Sequence, residues 1–276
     1  MTLQCGRFAL ALARPCLMGV VNVTPDSFSD GGRFLEPAAA AAQARRMVEA
    51  GAALVDIGAE STRPGAAPLS EAEELRRLLP VLAALQDLAV PISVDTRRGA
   101  VMRAVLDAGA SMINDIDALT APGALEAVAR ADCAVCLMHK KGDPATMQAD
   151  PHYADVVGEV KAFLAARIAA AEAAGIARAR IVADVGFGFG KTVTHNLTLL
   201  GRLAEFRGLG VPLLAGLSRK STLGRITGRP VGDRLAASLA AALLAVQGGA
   251  KILRVHDVAE TRDVLALWQA VQDPRT

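Results

Sequence analysis

Three polar residues sit where apolar runs end. Residues 92–94 lead into Asp95, residues 112–116 contain Asn114, and residues 181–185 contain Asp184. A carboxylate or amide in apolar surroundings costs free energy unless something there satisfies it. A ligand with a donor-rich edge does so, and a 2-aminopyrimidinone ring, as in a pterin or guanine, offers N–H groups that match two carboxylates and an amide carbonyl. The competing reading is internal pairing with Lys or Arg. Lys220 can pair with Asp184, so the two readings can coexist.

A second set is cationic. Arg63, Arg254 and His256 come from two different run ends, and a guanidinium meets phosphate oxygens as a bidentate fork. With Asn22 and Thr62 they can hold a diphosphate and its metal. A solvated rim is the plain alternative. The loop from Asn22 to Gly32 is rich in hydroxyls, carboxylates and glycines, so it reads either as a surface turn or as a lid. In the second reading Phe28 supplies an aromatic surface, and Asn22 with a nearby carboxylate supplies oxygens for Mg²⁺. Ser218-Arg-Lys-Ser221 follows the run 213–217 and places a hydroxyl and an ammonium together.

Two motifs are rejected. Gly186-Phe-Gly-Phe-Gly-Lys-Thr192 lacks the first glycine of a phosphate-binding P-loop, since that position is Val185. Read from Gly186 as a dinucleotide fingerprint, it fails at Lys191. What remains is a flexible loop whose backbone and Phe189 can lie against a flat ring. Cys133 and Cys136 form a C-x-x-C within a run of strand character, where positions i and i+3 face opposite ways. They read as buried free thiols, which fits a cytoplasmic location.

The elements that must position these groups follow from the alternation of the chain. Eight short apolar runs, at 17–23, 54–57, 92–94, 112–116, 134–138, 181–185, 213–217 and 252–255, are separated by helical stretches. These are predicted at 37–50, from the capping box of Ser70 with Glu73, at 98–108, 124–130, 153–174, 196–206, 232–247 and 259–271. Pro80 is expected to kink or end the second helix. Alternating strands and helices imply parallel pairing, and about 34 residues per unit matches an α/β fold of the (β/α)₈ barrel type in one domain over residues 1–276. Asp56, Gly58, Glu60 and Thr62 share one strand parity, as do Ser93 with Asp95, Asn114 with Ile116, and Arg254 with His256. If that parity faces the lumen, the polar groups converge at one end of the barrel. Asp56 and Glu60 then lie inside with no role assigned.

Composition sets limits. Hydrophobic residues make up 52% of 276, ample for one large core. A net charge of +2 implies no broad surface for nucleic acid or anionic membrane. The apolar stretch 8–13 is too short for a signal core and reads as a strand or lid, and 235–246 is too short to span a bilayer.

Taken in order, Met18-Gly-Val-Val-Asn-Val-Thr-Pro-Asp-Ser-Phe-Ser-Asp-Gly-Gly32, Asp56-Ile-Gly-Ala-Glu-Ser-Thr-Arg-Pro-Gly65, Ser93-Val-Asp-Thr96, Ile113-Asn-Asp-Ile116, Leu137-Met-His139, Asp184-Val-Gly-Phe-Gly-Phe-Gly-Lys-Thr192, Leu217-Ser-Arg-Lys-Ser221 and Arg254-Val-His-Asp257 resemble the motifs of the dihydropteroate synthases. The resemblance runs from about Met18 to Asp257. It implies a folate-pathway transferase that joins 6-hydroxymethyl-7,8-dihydropterin diphosphate to 4-aminobenzoate. By that similarity Asp95, Asn114, Asp184 and Lys220 hold the pterin, with Ile116, Met138 and Phe189 lining its slot. Asn22 binds Mg²⁺ and, with Thr62, Arg63, Arg254 and His256, the diphosphate. Phe28, Thr62, Pro64, Ser218 and Lys220 frame the aminobenzoate. Asp95, Lys220, Arg254 and His256 carry the chemistry, and a homodimer is expected. Val185 stands where the family usually has Pro, and Lys140-Lys141 make the loop after His139 unusually basic. A pterin-barrel methyltransferase using methyltetrahydrofolate, or a non-catalytic pterin-binding paralogue, are the alternatives.

Overall fold

The computed structural model describes residues 1–23, 37–60, 69–143 and 146–273. Eight parallel strands close into a barrel: β3 (Cys16–Asn22), β4 (Leu54–Gly58), β5 (Ile92–Asp95), β6 (Met112–Asp115), β7 (Ala134–Met138), β8 (Ile181–Asp184), β9 (Leu213–Ala215) and β10 (Ile252–Val255), which returns to pair with β3. An antiparallel hairpin of β1 (Thr2–Cys5) and β2 (Phe8–Ala11) precedes them. The helices are α1 (Pro37–Glu49), α2 (Glu71–Ala84), α3 (Gly99–Asp107), α4 (Ala124–Arg130), α5 (Val156–Ala173), α6 (Val193–Gly201), α7 (Ser221–Thr227), α8 (Leu235–Gln247) and α9 (Val258–Gln272).

Each apolar run is a strand because both its faces are covered, by lumen side chains on one side and by helices on the other. The outer layer is one large cluster in which Val55, Ile57, Val94, Ile113, Val135 and Leu253 meet helix residues such as Leu78, Val101 and Leu164. The lumen is filled at its N-terminal end by Met18, Leu54, Met112, Cys136, Val182, Leu214 and Ile252. Leu3, Cys5 and Leu12 of the hairpin region pack onto that layer. Residues 8–11 therefore form a strand, but its hairpin packs under the N-terminal end of the barrel and is no lid over the site.

Local signals set the helix ends. The Ser70 side chain accepts from the Glu73 amide at 3.3 Å and starts α2, and Asp155 accepts from Val157 at 3.1 Å to start α5. Pro80 neither ends nor divides α2, which runs on to Ala84. The helix expected at 196–206 is split into α6 and a 3₁₀ stretch at Leu203–Leu209, and α7 was absent from the pattern. Cys136 faces the lumen and Cys133 the outer layer, so the C-x-x-C pair is divided between two packing layers and both thiols are free.

Candidate active site

The register brings the polar residues to one level. Asp56 pairs with Val20 and Ser93, Asp95 with Gly58 and Asn114, and Asp184 with Met138 and Leu214. Arg254 lies opposite Met18. The lumen parity inferred from sequence thus holds for Asp56, Ser93, Asp95, Asn114 and Arg254, and Asp184 joins them on the same face.

These groups form a connected floor. Asp56 is fully buried, and its Oδ2 accepts from Arg254 Nε at 2.6 Å and from Asn114 Nδ2 at 3.1 Å. Arg254 Nη2 reaches Asp95 Oδ2 at 3.1 Å. The second Asp56 oxygen, Oδ1, has no hydrogen-bond partner among the described residues. Because Asn114 spends its Nδ2 on Asp56, its carbonyl oxygen is the part left for a ligand N–H. Internal pairing is thus present, since Arg254 pairs Asp56 and Asp95, while the Asn114 carbonyl oxygen and the second Asp184 oxygen keep acceptor capacity.

Electrostatics follow the burial. Desolvation pushes the Asp95 carboxyl up to about 7; Arg254 opposes the shift and Asp56 adds to it. Asp184 is also raised by burial, against the Gly186 amide, which donates to its Oδ1 at 2.7 Å, and against Lys220. Lys220 is lowered to about 8, first by burial and then by Arg254. Burial works against the charge of Arg254, but Asp56 and Asp95 keep it cationic. His256 is lowered to about 4 by burial and by Arg254 and Arg219, so it enters as a neutral imidazole rather than a cation. Its Nδ1 lies 3.0 Å from the Ser218 hydroxyl, which also accepts from the His256 amide at 3.3 Å. With the hydroxyl proton directed at Nδ1, Nε2 carries the ring proton and is the donor.

The three residues that the family resemblance places along the slot belong to a discrete apolar cluster. Ile116, Met138 and Phe189 pack together, joined by Met147, which no sequence pattern singled out. Lys220 Nζ stands 4.3 Å from the centre of the Phe189 ring. It makes no ion pair with Asp184 among the described residues; its charge reaches that carboxylate through space. The loop carrying Phe189 requires its glycines. At Gly186, φ is +68° and a Cβ would lie 1.9 Å from the His139 carbonyl oxygen; at Gly190, φ is +62° and the Lys141 oxygen would be 2.1 Å away.

Other expectations resolve individually. Glu60 is not a lumen group. It accepts from Arg98 at 2.9 Å and from the Leu69 amide at 3.2 Å, while Arg98 donates to the Leu69 carbonyl at 2.6 Å. The basic loop is paired back on the protein, Lys140 with Asp117 at 2.6 Å and Lys141 with Glu159 at 3.2 Å. Asn22 ends β3 beside Gly58, at the site end of the barrel. Phe28, Thr62, Arg63 and Pro64 lie outside the described residues. A cavity lined by Arg207, Lys251 and Trp268 opens at the other end of the barrel and contains none of these groups.

No group of three or more His, Cys, Asp or Glu able to hold a metal occurs among the described residues. The donor chemistry nevertheless fits Mg²⁺, since Asn22 offers a hard amide oxygen and this ion takes one or two protein ligands, completing its shell with water and substrate phosphate.

The closed (β/α)₈ barrel thus gathers Asp56, Asp95, Asn114, Asp184, Lys220 and Arg254 at its C-terminal end, the arrangement expected of a pterin-binding barrel enzyme. Residues 18–256 match the model of the pterin binding enzyme family. Dihydropteroate synthase of Haemophilus influenzae is 49% identical over 271 residues, spanning 98% of each chain. Among solved structures, a Yersinia pestis dihydropteroate synthase with a sulfonamide drug complex superposes with a TM-score of 0.94 at 47% identity, covering 99% of both chains. Xanthomonas albilineans dihydropteroate synthase with 4-aminobenzoic acid gives 0.93 at 54% identity, covering 99% of this chain and 98% of the other. The same organism's enzyme in complex with 7,8-dihydropteroate gives 0.91 at 51% identity, covering 99% of both. The chain belongs to the dihydropteroate synthase family, a family of transferases.

Proposed function

We infer that this chain condenses 6-hydroxymethyl-7,8-dihydropterin diphosphate with 4-aminobenzoate, giving 7,8-dihydropteroate and diphosphate. The observation that carries the reading is the Asp56–Arg254–Asp95 floor with Asn114 turned by Asp56. It leaves an amide carbonyl and the Asp184 carboxylate as acceptors for one ring edge, above an arginine available to an anion.

Asp184 and the Asn114 carbonyl take the N–H groups of the pyrimidinone edge. Lys220 donates to the ring carbonyl or nitrogen, and Ile116, Met138 and Phe189 line its faces. Arg254 and the His256 Nε2–H, with Thr62 and Arg63, bind the diphosphate. Mg²⁺ held by Asn22 would add charge neutralisation on the leaving phosphates. Chemistry begins as the C–O bond to the diphosphate breaks, its electron pair leaving with the anion. The pterin methylene becomes a resonance-stabilised cation, and the Asp95 carboxylate stabilises that charge. The arylamine lone pair of 4-aminobenzoate, framed by Phe28, Thr62, Pro64, Ser218 and Lys220, forms the C–N bond, and the amine proton passes to water. An arylamine is nucleophilic when neutral, so this chain needs no strong base. A methyltransferase chemistry would leave the Arg254–His256 pair without work.

Two further expectations belong to the same reading. Ile226, Val231, Leu235 and Leu244 expose large apolar side chains around α7 and α8 and supply a face for a homodimer. No described helix is long and apolar enough to cross a membrane, and the free thiols fit the cytoplasm.

The test is to mix the pterin diphosphate, 4-aminobenzoate and Mg²⁺ with the chain and follow diphosphate. Release that depends on 4-aminobenzoate supports the synthase; its absence removes it.

A further inference from the structure

Lys191 takes no part in the chemistry above, yet it is only 2% exposed. In a P-loop the lysine of Gly-Lys-Thr would face phosphate. Here its ammonium is enclosed by protein acceptors. Nζ donates to the Gly186 carbonyl at 2.9 Å and the Phe189 carbonyl at 3.1 Å. It lies 3.0 Å from His139 Nδ1 and 3.3 Å from the His139 carbonyl. Three N–H protons match the three nearer acceptors. Burial and the Lys191 charge drive the His139 pKa down to about 3, leaving the ring neutral, and with its proton on Nε2 the ring accepts from Lys191 through Nδ1.

These four contacts tie the end of β7 to both ends of one turn. Gly186 and Phe189 already close that turn through the Phe189 amide, which donates to the Gly186 carbonyl at 3.1 Å. Asn196 holds its middle, accepting from the Gly188 amide at 2.7 Å, and Tyr153 donates to the Gly190 carbonyl at 2.8 Å. The turn carries Phe189, which clusters with Ile116, Met138 and Met147 and has the Lys220 ammonium 4.3 Å from its ring centre. Left-handed φ values of +68°, +81° and +62° at Gly186, Gly188 and Gly190 make it a backbone with many alternatives unless something fixes it. Burying an ammonium is costly, and burial lowers this one to about 7 while Asp184 works to keep its charge. A chain that only needed to fill the space would do so with an apolar side chain.

We propose that Lys191 is a positioning residue for the pterin. Its ammonium gathers the Gly186 and Phe189 carbonyls and the His139 ring into one knot that holds Phe189 as a wall of the slot. The proposal rests on the reading of that slot as the pterin subsite. It assigns Lys191 no contact with substrate and predicts that its loss is felt through Phe189.

The experiment is a double-mutant cycle on Lys191→Met and Phe189→Ala, read as the Kd of 6-hydroxymethylpterin by titration calorimetry and as KM for each substrate. Methionine keeps the length of the stem and removes the donors. Lys191→Met should weaken pterin binding about tenfold, the scale of buried acceptors left unpaired. KM for 4-aminobenzoate should stay within about twofold, and Phe189→Ala should cost much less in the Lys191→Met background than in the native chain. If Lys191→Met does not fold, Lys191→Gln, which retains two donors, takes its place in the cycle with a smaller expected loss. Strictly additive losses, equal damage to both substrates, or undiminished pterin affinity would overturn the proposal. Failure of the native chain to bind 6-hydroxymethylpterin would instead overturn the subsite reading on which it rests.

Discussion

Arg254 Nε lies 2.6 Å from Asp56 Oδ2, and that one contact organises the floor of the barrel. Through it the guanidinium is aimed so that Nη2 also reaches Asp95, while the same Asp56 oxygen turns the Asn114 amide. Asp56 thereby orients two groups of the site through its Oδ2 alone. Asp56→Asn keeps the size and removes the charge. Hydrogen bonds to charged groups contribute about 1.5–3 kcal/mol, so kcat/KM for the pterin diphosphate should fall about 10–100-fold. Steady-state kinetics check this, and a variant within twofold of the native chain would contradict the positioning role.

Asp95 gives a pH dependence with a definite sign. Its carboxyl is raised to about 7, so the protonated form gains as the pH drops below that value. If the carboxylate stabilises the pterin cation, kcat should decline on the acid side with a midpoint near 7. Asp95→Asn should be slow throughout and lack that limb. Stability runs the opposite way. A carboxyl raised in the fold makes the native state take up protons that the unfolded chain releases, so this group's contribution diminishes as the pH rises from about 4 to 7. A pH–rate profile with thermal melts at the same pH values separates the two.

The glycines of the β8 loop differ from those that merely end helices. Gly186→Ala would place a Cβ against the His139 oxygen and keep a left-handed φ, whereas a Cβ at Gly109, with φ +98°, meets nothing within 4 Å. Gly109→Ala should lose about 1–2 kcal/mol from backbone strain alone, and Gly186→Ala about 3 kcal/mol or more. Denaturant unfolding of the two variants measures the difference; equal losses would show that the His139 carbonyl yields.

How much of this was legible in the sequence depended on period and chemistry. Eight apolar runs alternating with helical stretches were enough for the barrel, because strands covered on both faces read as unbroken apolar segments. Lumen parity agrees with the positions of Asp95, Asn114 and Arg254. It misled at Glu60, where the chain has left the strand and alternation no longer applies. Asp56 was seen to be internal but not what it paired with, since Arg254 lies 198 positions away and only barrel closure brings them together. Lys191 and Met147 carry no local signal, because their partners are backbone carbonyls and side chains of other loops. Pro80 does not end α2, which runs on to Ala84. Burial, invisible in a sequence, lowers His256 to about 4 and sets it apart from the cationic set expected of Arg63 and Arg254.

The cysteines offer an independent check of the packing layers. Burial raises Cys5 and Cys16 to about 12 and Cys133 to about 11, and drives Cys136 up as well. Thiols held this far above neutral react slowly. The native chain should be silent to a thiol-specific disulfide reagent at pH 8, and all four cysteines should react after unfolding. Rapid native labelling of Cys133 or Cys136 would place a thiol outside the layers described.

The central claim is that one end of this barrel joins a pterin to an arylamine. Its most direct measurement is chromatographic and mass-spectrometric detection of 7,8-dihydropteroate from 6-hydroxymethyl-7,8-dihydropterin diphosphate and 4-aminobenzoate. Diphosphate is counted in the same samples. One diphosphate per dihydropteroate is expected, with both suppressed in Asp95→Asn. Diphosphate released without dihydropteroate, or neither product with the folded native chain, would contradict it.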